Sequence, residues 1–278
     1  GVRDPMGIRP LCLGEMDGNY VLASESSAID TIGGKFLRDV NPGEIIVIDK
    51  DGLRSLQVFN SPRSANCIFE YIYFARPDST FDGINVYQAR RETGRRLARD
   101  APIDADLVIS VPDSGTASAL GYAEEAGLPF EEGLMKNRYI GRTFIQPSQK
   151  MREIGVRLKL NPIEEIVSGK RIIMVDDSIV RGTTSKQIVQ MLREAGAREV
   201  HMMVASPPTK YPCYYGIDTS RREELIASAM NEGEIEKFIG ADSLHYLTME
   251  GLLESLGHNG NCFCTACFNG EYPIKIEL

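Results

Sequence analysis

The segment Val175-Asp176-Asp177-Ser178-Ile179-Val180-Arg181-Gly182-Thr183-Thr184 limits what this chain can fold into more than any other. A short apolar run, Arg171 to Val175, precedes it, and a helical pattern from Ser185 to Gly196 follows. The order is therefore strand, acidic pair, hydroxyl-bearing loop, helix. Two carboxylates at the C-terminal end of a strand can hold a divalent cation or the hydroxyls of a sugar. A Gly-Thr-Thr turn that opens a helix offers unpaired backbone N–H groups, hydroxyls and a positive dipole end, which suit a phosphate. Together they fit a phosphorylated sugar with a metal. The alternative is an acidic strand end followed by a capped helix, but adjacent Asp residues after a buried strand are costly without a ligand.

The rest of the chain falls into two patterns. Up to about residue 60 it reads as antiparallel β. Two short strands between Ile8 and Ser24 flank a turn at Asp17-Gly18-Asn19, a short capped helix is expected from Ser24 to Ile32, and a hairpin turns at Asp49-Lys50-Asp51-Gly52. After a linker near Asn60 to Ala65, strands alternate with helices. Val86 to Ala101 is a basic amphipathic helix, Leu107 to Val111 a strand, Thr116 to Gly127 a helix, and Val200 to Ala205 a further strand. This alternation predicts an α/β fold with a central parallel sheet, whose ligands sit beyond the carboxyl ends of the strands. The 278 residues carry a net charge of −8, which argues against a broad nucleic-acid surface. No apolar stretch approaches the roughly 20 residues that span a bilayer, and no secretory signal opens the chain, so the expected location is the cytoplasm.

Five strings narrow the reading: Phe69 to Ser79, Val111-Pro112-Asp113-Ser114, Lys136 to Ile145, Val175 to Thr184, and Tyr215-Gly216-Ile217-Asp218. Together they resemble the glutamine phosphoribosylpyrophosphate amidotransferase family, over essentially the whole chain. The acidic-pair loop alone would indicate only a type I phosphoribosyltransferase. The aromatic string around Phe74-Ala75-Arg76-Pro77 and the Asn137-Arg138-Tyr139 loop point to the amidotransferase. The resemblance implies a type I phosphoribosyltransferase fold preceded by the β-rich end of an N-terminal-nucleophile glutaminase domain. It divides the chain into residues 1–60 (glutaminase remnant), 61–250 (phosphoribosyltransferase) and 251–278 (a cysteine-bearing segment packed on the core). The chain opens at a string similar to the family's Arg-Asp-Pro-x-Gly-Ile-Arg-Pro-Leu, so the N-terminal nucleophile is absent and no glutamine hydrolysis is expected of these residues. Cys12 lies in an apolar strand pattern and reads as core.

The family's reaction is the first committed step of purine synthesis: ammonia released from glutamine displaces pyrophosphate from phosphoribosyl pyrophosphate. By resemblance, Asp176 and Asp177 meet the ribose hydroxyls and Mg²⁺, with Ser114 as a further Mg²⁺ position. Arg181, Gly182, Thr183, Thr184 and Ser185 form the 5′-phosphate cradle. Lys136, Arg138 and Arg142 neutralise the leaving pyrophosphate. The surrounding segment, with Gly141 and Pro147-Ser148, reads as a lid. For Arg152, Arg157 and Lys159 a solvated basic helix and a functional role stand equal. No general base is assigned, because ammonia's lone pair is already available. A hydroxyl at a helix start, such as Ser114, is also commonly just an N-cap.

The six cysteines are Cys12, Cys67, Cys213, Cys262, Cys264 and Cys267. Cys264-Thr265-Ala266-Cys267 alone could be a zinc half-site, a redox pair or a cluster half-site. Four thiolates suit Zn²⁺ or an iron–sulfur cluster equally. The family resemblance implies a structural [4Fe–4S] cluster on Cys67, Cys213, Cys264 and Cys267, with Cys262 a nearby fifth thiol. His201, His245 and His258 show no ligand spacing. The resemblance further implies a homo-oligomer, a tetramer in the family, and inhibition by purine nucleotides. Two other readings stay open: a nucleobase salvage phosphoribosyltransferase, and a non-catalytic iron–sulfur or nucleotide-binding regulatory module.

Overall fold

A computed structural model describes residues 1–59, 63–139, 159–219, 221–257 and 262–276. The chain divides into two compact units, Gly1–Ala89 with Leu256–Leu278, and Arg90–Ser255.

In the first unit, β1 (Cys12–Met16) pairs antiparallel with β2 (Asn19–Ala23) and β3 (Lys35–Asp39), giving the order β2-β1-β3. The turn at Asp17-Gly18 uses positive φ at both residues (51° and 76°), the backbone that matches the right-handed twist of a tight hairpin. β4 (Glu44–Asp49) and β5 (Gly52–Gln57) form the second expected hairpin, with Gly52 at φ 102°. Leu13, Val40 and Ile46 bury the inner faces. The helix between these strands covers Ser26–Thr31, but it is not capped by a side chain. Glu25 occupies the cap position, and its carboxylate instead accepts hydrogen bonds from the Arg76 N–H (2.8 Å) and the Ser79 hydroxyl (2.9 Å). A long-range partner has taken the oxygen that local capping would use.

The C-terminal residues join this unit through pairing and aromatic packing. β6 (Asn66–Cys67) runs parallel to a late strand, Phe263–Cys264. A π-helical turn, Glu70–Phe74, follows, and two rings at its start meet the same segment. Phe69 stacks on Phe268 at 5.7 Å, and Tyr71 meets Phe263 edge-on at 5.7 Å. A minimal pair, β7 (Thr80–Phe81) with β8 (Ile84–Asn85), leads into the helix Val86–Asp100.

The second unit is built on a four-stranded parallel sheet. Its strands are β9 (Leu107–Ser110), β12 (Arg171–Asp176), β13 (Glu199–Val204) and β14 (Ser243–Tyr246), in the order β14-β13-β12-β9. Between β9 and β12 an antiparallel pair intervenes, β10 (Leu134–Lys136) with β11 (Leu160–Pro162). Both faces of the sheet are covered, so β12 reads as a continuous apolar run, Ile172 to Val175, with no exposed member. One face packs Ile172, Met174, Val200, Met202 and Leu244 against Ile188, Val189 and Leu192 of the helix Thr183–Glu194 and Ile235 and Ile239 of the helix Glu232–Ile239.

Two glycines let the helix Val86–Asp100 approach the helix Thr116–Ala126. A Cβ at Gly94 would stand 1.8 Å from the Ser118 carbonyl oxygen, and one at Gly121 2.0 Å from that of Arg91. Backbone therefore lies on backbone, and Thr93 and Ser118 exchange a hydroxyl hydrogen bond at 3.2 Å across the crossing.

Candidate active site

The register of the parallel sheet brings three loops to one edge. β9 ends at Ser110, β12 at Asp176 and β13 at Val204, with Val175 opposite Ser110 and Asp176 opposite Val204. The carboxyl ends of neighbouring strands thus stand level, as expected of a ligand crevice in an open parallel sheet.

Asp176 and Asp177 sit at that edge and are only 7% and 6% exposed. The Asp177 N–H donates to Asp176 Oδ1 at 2.9 Å, and the Ser178 hydroxyl donates to Asp177 Oδ1 at 2.5 Å. Loss of water, and then the charge of Asp177, push the Asp176 carboxyl well above the usual carboxylate range. Burial raises Asp177 too, opposed by hydrogen bonds from Ser114 and Ser178 and by the charge of Arg90. Two adjacent acids raised in this way are the residues here that could hold a cation.

Ser114 reaches Asp177 because its loop lies almost on the end of β12. Val111 N–H donates to the Val175 carbonyl (2.9 Å), and Gly115 N–H to the Val111 carbonyl (3.0 Å). Gly115, not Ser114, is the N-cap residue of the helix Thr116–Ala126, and no side chain caps that helix. The Ser114 hydroxyl bonds Asp177 instead. Gly115 was not among the residues singled out in the sequence, yet a Cβ there would stand 2.5 Å from the Val175 oxygen and 3.2 Å from Asp176 Cα.

The loop after Asp177 ends in Gly182, at φ 72°, and the helix opens at Thr183, two residues before the helical pattern expected from Ser185. The N–H groups of Thr183, Thr184 and Ser185 belong to the first turn, where no helical carbonyl can reach them, and no side chain caps them. Ser185 is buried. Arg181 donates from Nε to Glu224 Oε2 at 2.9 Å, with Nη2 on the same oxygen.

Lys136, the last residue of β10, forms an ion pair with Asp113 of the β9 loop. The antiparallel pair thereby delivers Lys136 beside the loop of Ser114. Arg138 is exposed two residues on, and Tyr139 is fully exposed, its N–H bonded to the Asn137 side chain at 3.0 Å. Arg142, Arg152 and Arg157 lie outside the described residues. Sequence reasoning missed Asp113, Arg90 and Glu224. The first stood inside a quoted motif, whereas the other two are distant in sequence and carry no local signal.

In the first unit, Cys67 and Cys264 are direct register partners in parallel strands, and Cys267 follows on the helix Ala266–Asn269. Burial pushes the Cys67 thiol up to about 12. In the second unit, the Tyr215 N–H donates to Cys213 Sγ at 3.3 Å. Among the described residues no group of three or more His, Cys, Asp or Glu is gathered to hold a metal. Cys12 is wholly buried in β1, and burial raises its thiol to about 11, in keeping with a core residue.

The phosphoribosyl transferase domain family matches residues 81–212, the span that contains β9, β12 and the Asp176–Asp177 loop. Beyond it, the chain is 55% identical over 278 residues to an amidophosphoribosyltransferase of Archaeoglobus fulgidus, covering 99% of this chain and 61% of the relative. The Bacillus subtilis amidophosphoribosyltransferase is 54% identical over 98% of this chain and 58% of its own length. A solved structure of the B. subtilis glutamine phosphoribosylpyrophosphate amidotransferase, complexed with ADP and GMP, superposes with a TM-score of 0.91 at 54% identity, over 99% of this chain and 61% of that one. The chain is a homologue of the amidophosphoribosyltransferases. Its second unit has the type I phosphoribosyltransferase fold, and it spans about 60% of the length of these relatives. Among the described residues no helix is long and apolar enough to cross a membrane.

Proposed function

We propose that this chain carries the phosphoribosyltransferase half-reaction of amidophosphoribosyltransferase in the cytoplasm: ammonia attacks C1 of phosphoribosyl pyrophosphate, pyrophosphate leaves, and 5-phosphoribosylamine forms. The observation that carries this reading is the buried Asp176–Asp177 pair at the end of β12, followed by the Gly182-capped helix start. The 5′-phosphate sits on the N–H groups of Thr183, Thr184 and Ser185, with Gly182 allowing close approach and Arg181 adding charge. Asp176 and Asp177 hold the ribose hydroxyls and, with Ser114, a Mg²⁺. When bound, Mg²⁺ offsets the charge of the departing pyrophosphate. Lys136 exchanges Asp113 for pyrophosphate oxygens, and Arg138 and Arg142 add further positive charge there. In the whole protein glutamine supplies the ammonia. Purine nucleotides compete for the cradle, since they carry the same ribose 5-phosphate. This fits a relative solved in complex with ADP and GMP.

The domain division follows the same reading, with residues 61–250 as the transferase. Cys67, Cys213, Cys264 and Cys267 would hold a [4Fe–4S] cluster whose part is structural. The thiolate chemistry of the donor set, the Cys67–Cys264 register and the N–H on Cys213 Sγ support it. A homo-oligomer is part of the proposal.

The deciding assay is pyrophosphate release from phosphoribosyl pyrophosphate and Mg²⁺ by anaerobically purified protein, with ammonium salt as nitrogen donor and adenine, guanine, hypoxanthine and uracil as rival acceptors. Turnover with ammonia alone is expected. Turnover with a nucleobase would instead support a salvage enzyme, and substrate binding without pyrophosphate release a regulatory module. Iron and acid-labile sulfide content, with visible absorption, tests the cluster, and an iron-free, zinc-loaded protein would overturn it.

A further inference from the structure

The phosphate loop is held from outside by a segment that no motif flagged. Three consecutive loop residues are each engaged by residues 224–226. The Ile226 N–H donates to the Val180 carbonyl at 2.9 Å. Glu224 Oε2 accepts from both Nε and Nη2 of Arg181. The Ile226 side chain packs on Gly182 so closely that a Cβ there would meet its Cδ1 at 2.6 Å. A short helix, Ile226–Ala229, continues from this contact, and the Arg222 carbonyl accepts from the Ser228 hydroxyl (2.8 Å), closing the segment on itself.

The Arg181–Glu224 pair has an odd economy for a structural contact. Its side chains are 39% and 41% exposed, and a pair that open to water contributes little to fold stability. It does fix direction. Glu224 takes the Nε and Nη2 side of the guanidinium with a single oxygen, and Nη1 has no part in the pair. An arginine so oriented offers a phosphate the paired donors it binds best, and it no longer has to be ordered when the ligand arrives.

We propose that Glu224 is a positioning residue for the 5′-phosphate of the substrate, acting through Arg181, and that residues 222–229 form the brace of the phosphate loop. This rests on the function proposed above. Glu224 itself touches no substrate.

The test combines binding of ribose 5-phosphate, measured by calorimetry, with ammonia-dependent kinetics for wild type, E224A, E224Q, R181A and the R181A/E224A double variant. E224A is expected to weaken ribose 5-phosphate binding and raise the KM for phosphoribosyl pyrophosphate about five- to tenfold, with kcat changed less than about twofold, since the lost interaction serves ground and transition states alike. E224Q keeps an acceptor oxygen and should recover part of the loss. On the R181A background, removing Glu224 should add nothing. Unchanged or tighter binding by E224A, a fall in kcat at constant KM, or a Glu224 effect that persists without Arg181 would each overturn the brace while leaving the function intact. Failure of the wild type itself to bind ribose 5-phosphate would sink the underlying function and the brace with it. Because the pair is solvent-exposed, both Glu224 variants should melt within a few degrees of wild type, and E224Q supplies the reading if E224A does not.

Discussion

Replacing Gly115 by alanine tests whether the site depends on the close approach of two strand ends. The backbone at Gly115 has φ −77°, so alanine is conformationally allowed and the cost is contact alone. The new Cβ would stand 2.5 Å from the Val175 oxygen, where an ordinary contact needs 3.4 Å, so the loop must lift by about 0.9 Å. It cannot do so freely, because the same Val175 carbonyl accepts the Val111 N–H and the Val111 carbonyl accepts the Gly115 N–H. Overpacking of this kind costs about 1–3 kcal/mol of stability. The displacement falls between Ser114 and Asp177, and a shift of about 1 Å at a reacting centre can cost about 100-fold in rate. G115A should therefore fold, melt a few degrees lower, and lose about 100-fold in kcat/KM for ammonia-dependent pyrophosphate release. S114A, which removes the hydroxyl but leaves the loop seated, should lose less. A folded G115A with kcat/KM within about threefold of wild type would refute the argument that loop seating sets the site.

Three further outcomes follow from the electrostatics. Asp176 has a folded-state pKa above its ordinary 3.8, so its ionisation opposes folding. With respect to this group stability is greatest below about 3.8 and falls as pH rises through the folded value. D176N should thus melt higher than wild type at neutral pH, lose that advantage near pH 4, and be inactive by at least about 100-fold. A lower melting point at neutral pH would contradict it. Glu44 behaves oppositely: bonds from Arg38, with Ser55 and the Asn41 N–H, pull its carboxyl from 4.5 down to about 2. Its stabilising contribution is complete above about 4.5 and disappears as pH falls toward 2, so urea unfolding should lose stability in that window for wild type and much less for E44Q. Burial keeps the Cys12 and Cys67 thiols protonated, at about 11 and 12. Alkylation of the native, metal-free chain near pH 8, read by mass spectrometry, should spare both and modify Cys213, Cys262 and Cys267, which are only half-buried. Rapid labelling of Cys67 would show the buried pairing with Cys264 to be wrong.

What the sequence determined by itself was local or periodic. The apolar run of β12, the acidic pair at its end and the Gly-Thr-Thr helix start were legible because each is set by neighbours within a few residues: strand burial, a positive φ that glycine takes readily, and the open N–H groups of a first turn. The hairpins at Asp17-Gly18 and Gly52 were legible for the same reason, and the alternation of strand and helix was enough to predict a parallel sheet.

Only the tertiary structure decided who partners whom. The strand register sets Cys264 beside Cys67, nearly two hundred residues earlier in the chain. The aromatic string reads as a motif, but two of its rings, Phe69 and Tyr71, pack on Phe268 and Phe263. Glu25 gives up capping its own helix for Arg76 and Ser79. Lys136 finds Asp113, Arg181 finds Glu224, and Gly94, Gly115 and Gly121 are glycines because another backbone lies where their side chains would stand. None of these leaves a periodic trace, since a contact between distant segments is fixed by how whole elements pack, and packing is a property of the folded chain rather than of any window of its sequence.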